Sequence, residues 1–103
     1  MTAAEDGVAE TFVSIRRDDL AGVIDQFASL PAANQYRRLY ELTDRYLPPG
    51  AHVLDWGCGR GHFAYYLVKR GFRVTAYSLE HPPAIFGALS ESERGRITHV
   101  HGS

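Results

Sequence analysis

Val53-Leu54-Asp55-Trp56-Gly57-Cys58-Gly59-Arg60-Gly61 decides the reading of this 103-residue chain. The segment from His52 to Trp56 is short, apolar at its centre and bounded by Gly50 and Gly57, the pattern of a buried strand. Gly57, Gly59 and Gly61 alternate, so the backbone can turn sharply and a ligand can approach the main chain without Cβ atoms in the way. A helix is expected over residues 62–70, with Phe63, Leu67 and Val68 facing inward and Gly71 closing it. Its first turn offers unpaired N–H groups and a partial positive charge to an anionic group. Strand, glycine turn and helix in that order make a ligand crevice at the carboxyl end of the strand.

Outward from the turn, residues 72–79 read as a second strand, with Val74 and Ala76 on one face and Thr75 and Tyr77 on the other. His81-Pro82-Pro83 breaks it, and Pro83 suits the first turn of a short helix. Residues 91–96 read as a charged linker and residues 97–101 as a third strand. Towards the N-terminus, Leu20, Val23, Ile24, Phe27 and Leu30 follow helical spacing from a cap at Asp18 or Asp19. A second helix follows Pro31, with Tyr36, Leu39, Tyr40, Thr43, Tyr46 and Leu47 on one face, until Pro48-Pro49-Gly50 stops it. Glu41 and Arg45 are spaced as a small surface pair. Residues 1–11 show no period and read as a flexible tail. The expected organisation is this tail, a helical cap over 12–50, and an incomplete Rossmann-like unit over 51–103. Alternating strands and helices argue for right-handed crossovers and a parallel sheet, an α/β fold.

Composition sets the outer bounds. The chain is 45% hydrophobic and 22% charged, which fits one ordinary globular domain. No apolar run approaches the ~20 residues of a membrane helix. The acidic start lacks the bases and apolar stretch of a secretory signal. A net charge of −1 gives no electrostatic case for a nucleic-acid partner. One cysteine allows neither an internal disulfide nor a multi-cysteine zinc site, which fits a reducing, cytoplasmic setting.

The quoted stretch closely resembles the first motif of the class I S-adenosylmethionine-dependent methyltransferases, V-L-D-x-G-C-G-x-G. Gly61 follows Gly59 by two residues and position 62 is His, which departs from the dinucleotide fingerprint G-x-G-x-x-G. The resemblance takes in residues 32–103 and implies a partial Rossmann-like sheet of three strands in the order 3-2-1, with two N-terminal helices before it. It implies S-adenosyl-L-methionine as cofactor, with Gly57, Cys58, Gly59 and Gly61 forming the turn against its methionine part. Asp55 would hold the cofactor's amino group, directly or through water. At the end of the second strand the family usually carries an acid for the ribose hydroxyls. Here Ser78 stands at that position and Glu80 two residues on, so either is the candidate, while Leu79 would pack on adenine. The family's catalytic groups would follow Ser103, so no catalytic residue is named and the chain alone is expected to be inactive. The methyl acceptor is not legible.

Two other readings stay open: a nicotinamide- or flavin-binding oxidoreductase fragment using the same half-fold, and a non-catalytic cofactor-binding or assembly module. Cys58 lacks an evident base beside it and reads as a small packing residue. His62 would either touch the cofactor carboxylate or, as its place at a helix start favours, stand as a surface histidine. Trp56 is either a wall of the cofactor pocket or a filler beneath the first helices. His99 and His101 share a strand face, but two ligands do not make a metal site, so no metal is expected. From His52 onward only two βα units and a third strand fit, which points to a chain cut short after that strand. In the family's order the first strand would then carry an open apolar edge, through which the chain would self-associate unless a longer protein covers it.

Overall fold

In a computed structural model, residues 3–19, 29–79 and 81–102 are described. The chain divides into two compact units, Met1–Leu47 and Pro48–Ser103.

The first unit is helical. Helix α1 spans Ala3–Asp18 and α2 spans Leu30–Tyr46, and the two pack on each other. Residues 3–11, read in the sequence as part of a loose tail, lie within α1. Ala3, Ala4, Ala9 and the glutamates carry good helix propensity without an apolar repeat, and Thr11 and Ile15, one turn apart, supply the buried face. Helix α1 ends at Asp18, and the helix expected to follow a cap at Asp18 or Asp19 falls on residues 20–28, outside the described residues. Pro31 falls in the first turn of α2, where its missing N–H has no helical partner to lose. Tyr40 is the buried anchor of α2, while Leu39 and Tyr46 are exposed. The surface pair that forms is Arg37–Glu41 at 3.3 Å.

The second unit is a three-stranded, all-parallel sheet. Strand β1 is His52–Trp56, β2 Arg73–Ser78 and β3 Ile97–His101, with β2 in the middle, so the expected order 3-2-1 holds. The register aligns Asp55 with Ala76 and Ala76 with His99. Helix α3, His62–Lys69, connects β1 to β2, and its side chains from Ala64 to Val68 are buried. A 3-10 helix, Ala84–Ala88, follows Pro83. Residues 91–96 are not only a linker, because α4 forms at Glu91–Arg94. Ser90 caps it: its hydroxyl accepts the Glu93 N–H at 3.2 Å while the Glu93 carboxylate accepts the Ser90 N–H at 2.8 Å. Lys69 at the end of α3 pairs with Glu93 at 3.1 Å and ties the two helices together.

The two faces of the sheet differ. Val74, Ala76 and Ser78 are buried on the α3 side, whereas Leu54, Trp56 and Val100 on the opposite face are 61%, 71% and 46% exposed. Trp56 stacks on Tyr77 of the neighbouring strand, with ring centroids 4.3 Å apart. Strand β1 pairs with β2 on one side, and its other edge has no strand partner among the described residues.

Candidate functional site

The glycine turn lies at the carboxyl end of β1, between that strand and α3. Gly57, Gly59 and Gly61 have φ of +75°, +54° and +89°, a backbone that L side chains adopt at a cost. Tyr77 O accepts both the Gly57 N–H at 2.9 Å and the Cys58 N–H at 2.8 Å, docking the turn onto the end of β2. The three glycines then divide by surroundings. A Cβ on Gly57 or Gly59 would meet nothing within 4 Å, so both line open space. A Cβ on Gly61 would lie 2.8 Å from Phe86 Cε1 and 2.9 Å from Pro83 Cβ. Gly61 is thus needed for packing under the 3-10 helix, while Gly57 and Gly59 border open space.

Asp55, next to last in β1, is half-buried on the α3 side. Its carboxylate accepts the Ala64 N–H in the first turn of α3, where Gly61 offers no side-chain cap. The second oxygen, Oδ2, is buried with no partner. Burial outweighs the Ala64 hydrogen bond and pushes the carboxyl above its ordinary range. A folded-state pKa above the unfolded one makes this residue's contribution fall as pH rises through the carboxylate range. Asp55→Asn keeps an acceptor for Ala64 and removes the buried charge. Its thermal midpoint at neutral pH should rise above the native chain's; a lower midpoint would mean that the carboxylate stabilises the fold as it stands.

Ser78 is buried at the end of β2. It makes a 2.7 Å hydrogen bond with His99 Nε2 on β3 and another with the Cys58 thiol of the glycine turn. The residue this strand end exposes is Leu79, at 75%. Glu80 lies outside the described residues. The imidazoles form a row along β3: His99 stacks on His101 at 5.8 Å, and His81 lies 5.5 Å from His101. Among the described residues no three His, Cys, Asp or Glu side chains are grouped to hold a metal. Burial, opposed in part by Ser78, raises the Cys58 thiol, so no thiolate is poised there at neutral pH. No spacing in the sequence signals the pairing of Ser78 with His99; only the register of β2 on β3 brings the two together.

His62, the first residue of α3, is buried rather than on the surface, at 9% exposure. Burial lowers its pKa from the ordinary 6.5 to about 4. The folded state therefore binds fewer protons than the unfolded chain between those values, and stability is lost as pH falls through that window. That difference amounts to about 3 kcal/mol, lost progressively on acidification. Denaturant titrations of the native chain and His62→Gln across the window should show a steep slope in the first and a shallow one in the second. Equal slopes would remove His62 as the cause.

Fold and site together define a parallel α/β unit with a glycine turn that leaves open space at the strand ends. Comparison with known proteins gives partial likenesses only. Over 70 residues, 66% of this chain, it is 37% identical to a probable fatty acid methyltransferase of Mycobacterium tuberculosis. Over 33 residues, 32% of the chain, it is 52% identical to an S-adenosyl-L-methionine-dependent Diels-Alderase of Talaromyces variabilis. The matched segments span only 16% and 11% of those two proteins. No family model and no solved structure matches the chain. No helix among the described residues is long and apolar enough to cross a membrane.

Proposed function

We propose that this chain is the S-adenosyl-L-methionine-binding part of a class I methyltransferase, with the glycine turn holding the methionine end of the cofactor. The observation that carries the reading is the open space over Gly57 and Gly59, two left-handed positions in a strand–turn–helix unit where a side chain would meet nothing. The orphaned Asp55 Oδ2 fits a group that brings an ammonium, which would supply the missing donor and hold the carboxylate charged. The α3 N-terminus suits the cofactor's carboxylate. Ser78 is committed to His99, so ribose recognition falls to Glu80, and exposed Leu79 offers an apolar surface for adenine. When bound, the cofactor supplies a methyl group made electrophilic by its sulfonium. The residues of this chain hold and orient it, and catalysis by alignment requires an acceptor-binding part not assigned to any residue here.

A second reading, binding without methyl transfer, gains weight from the likeness to a protein named a Diels-Alderase rather than a methyltransferase. Thermal denaturation with S-adenosylmethionine, S-adenosylhomocysteine and NADH tests the binding claim. The two sulfur cofactors should raise the midpoint and NADH should not. Stabilisation by NADH alone would replace this reading with that of a nicotinamide-binding fragment.

A further inference from the structure

One polar chain crosses the sheet beneath the glycine turn. His99 Nε2 on β3 and Ser78 Oγ on β2 are 2.7 Å apart, and Ser78 also bonds the Cys58 thiol in the turn. Cys58 is 6% exposed and Ser78 8%, so water does not stand in for these bonds. Cys58 lies between the two glycines that line open space, and its own N–H is fixed to Tyr77 O. The backbone of the turn is thereby linked to an imidazole two strands away.

We propose that His99 is a positioning residue for the glycine turn, holding Cys58 through Ser78 so that ligand affinity at the turn weakens when the imidazole is protonated. The proposal rests on the cofactor-binding reading above for the ligand, but not for the coupling itself. With a neutral ring the chain can run from Cys58 S–H to Ser78 Oγ and from Ser78 O–H to His99 Nε2. Protonation removes the Nε2 acceptor, so the order must reverse: Nε2–H donates to Ser78, and Ser78 O–H to Cys58 Sγ. Nδ1, which already carries the proton when Nε2 accepts, is buried without a partner, so the charged ring finds no acceptor there. The added charge faces further imidazoles at His101, stacked at 5.8 Å, and at His81 beyond it. Phe86 of the 3-10 helix lies edge-on to His99 at 6.2 Å and offers no counter-charge. Other titratable groups on the elements that pack on this face are Asp55 of β1, two strands away in register, Cys58 in the turn, His62, Tyr65, Tyr66 and Lys69 of α3, and Glu91, Glu93 and Arg94 of α4, with Lys69 and Glu93 paired to each other. Burial first, and then the neighbouring His101, hold the His99 ring towards its neutral form, in keeping with this arrangement.

The test is an NMR titration of the labelled chain without ligand, following the His99 ring nitrogens and the Gly57, Cys58 and Gly59 amides from neutral to mildly acid pH. The turn amides should move with the His99 midpoint, and in Ser78→Ala they should no longer follow it. A ligand that lowers the ring's midpoint by about one pH unit would itself bind about tenfold more weakly to the protonated form. S-Adenosylhomocysteine affinity should therefore fall with pH in the native chain, and do so less in Ser78→Ala. His99→Gln, which keeps a hydrogen-bonding partner for Ser78 but cannot titrate in this range, should retain binding with a flat pH profile. Turn amides that ignore His99 in the native chain, or that still follow it without Ser78, would overturn the proposal. Absence of S-adenosylhomocysteine binding at every pH would instead overturn the cofactor reading, and the amide titration would still decide the coupling.

Discussion

Gly61→Ala should destabilise the sheet unit by about 3 kcal/mol, combining the cost of a side chain at positive φ with overpacking. The new methyl would need the space of Phe86 Cε1 at 2.8 Å and of Pro83 Cβ and Cγ at 2.9 and 3.0 Å. Relief would require lifting the 3-10 helix off the start of α3, where Ile85 and Phe86 are buried. In a unit this small, about 3 kcal/mol lowers the midpoint by roughly 15 °C, and it is a large share of the stability available. Gly59→Ala is the matched control, because its φ of +54° is strained for alanine but no atom lies within 4 Å of the added carbon. It should lose only about 1 kcal/mol. Urea titrations of both variants check the pair. Equal losses would mean that conformational strain alone, and not the packing under Phe86, makes Gly61 necessary.

Gly59→Val should separate binding from folding. The space its side chain would occupy is open in the protein, so the fold should lose little beyond the strain of a β-branched residue at positive φ. If that space belongs to the cofactor, affinity for S-adenosylmethionine should fall by well over about tenfold, as for any ligand whose approach to the main chain is blocked. Calorimetric titration of the native and variant chains, with circular dichroism to confirm folding, measures both quantities. A folded Gly59→Val that binds like the native chain would place the ligand elsewhere. Gly61 and Gly59 thus have different work within one motif: the first closes the packing, the second leaves room.

How much of this is legible in the sequence depends on whether a feature is local. Strand β1, the turn and α3 are written in neighbouring residues, as periodicity and glycine spacing, and the parallel order follows from alternating elements. Helix α1 is not legible because alanine and glutamate favour a helix without an apolar repeat. Helix α4 does carry a local signal, Ser90 three residues before Glu93, the spacing of a reciprocal cap, but the density of charge around it reads as a linker. The burial of His62 depends on what packs over the first turn of α3, and that comes from elsewhere in the chain. The Ser78–His99 bond joins residues 21 apart and exists only because β2 and β3 pair in one particular register. A shift of that register by one residue would turn His99 to the exposed face. Trp56 shows the same limit: its alternation along β1 is readable, but the 71% exposure of its side chain is not.

We propose binding of S-adenosyl-L-methionine over the glycine turn. Its most direct test is amide chemical-shift mapping of the labelled chain titrated with S-adenosylhomocysteine, the demethylated form. The largest changes should fall on Gly57, Cys58, Gly59 and Leu79, with Leu54 and Val100 on the opposite face of the sheet unmoved. No saturable change at the turn, or a response centred on that opposite face, would contradict the account.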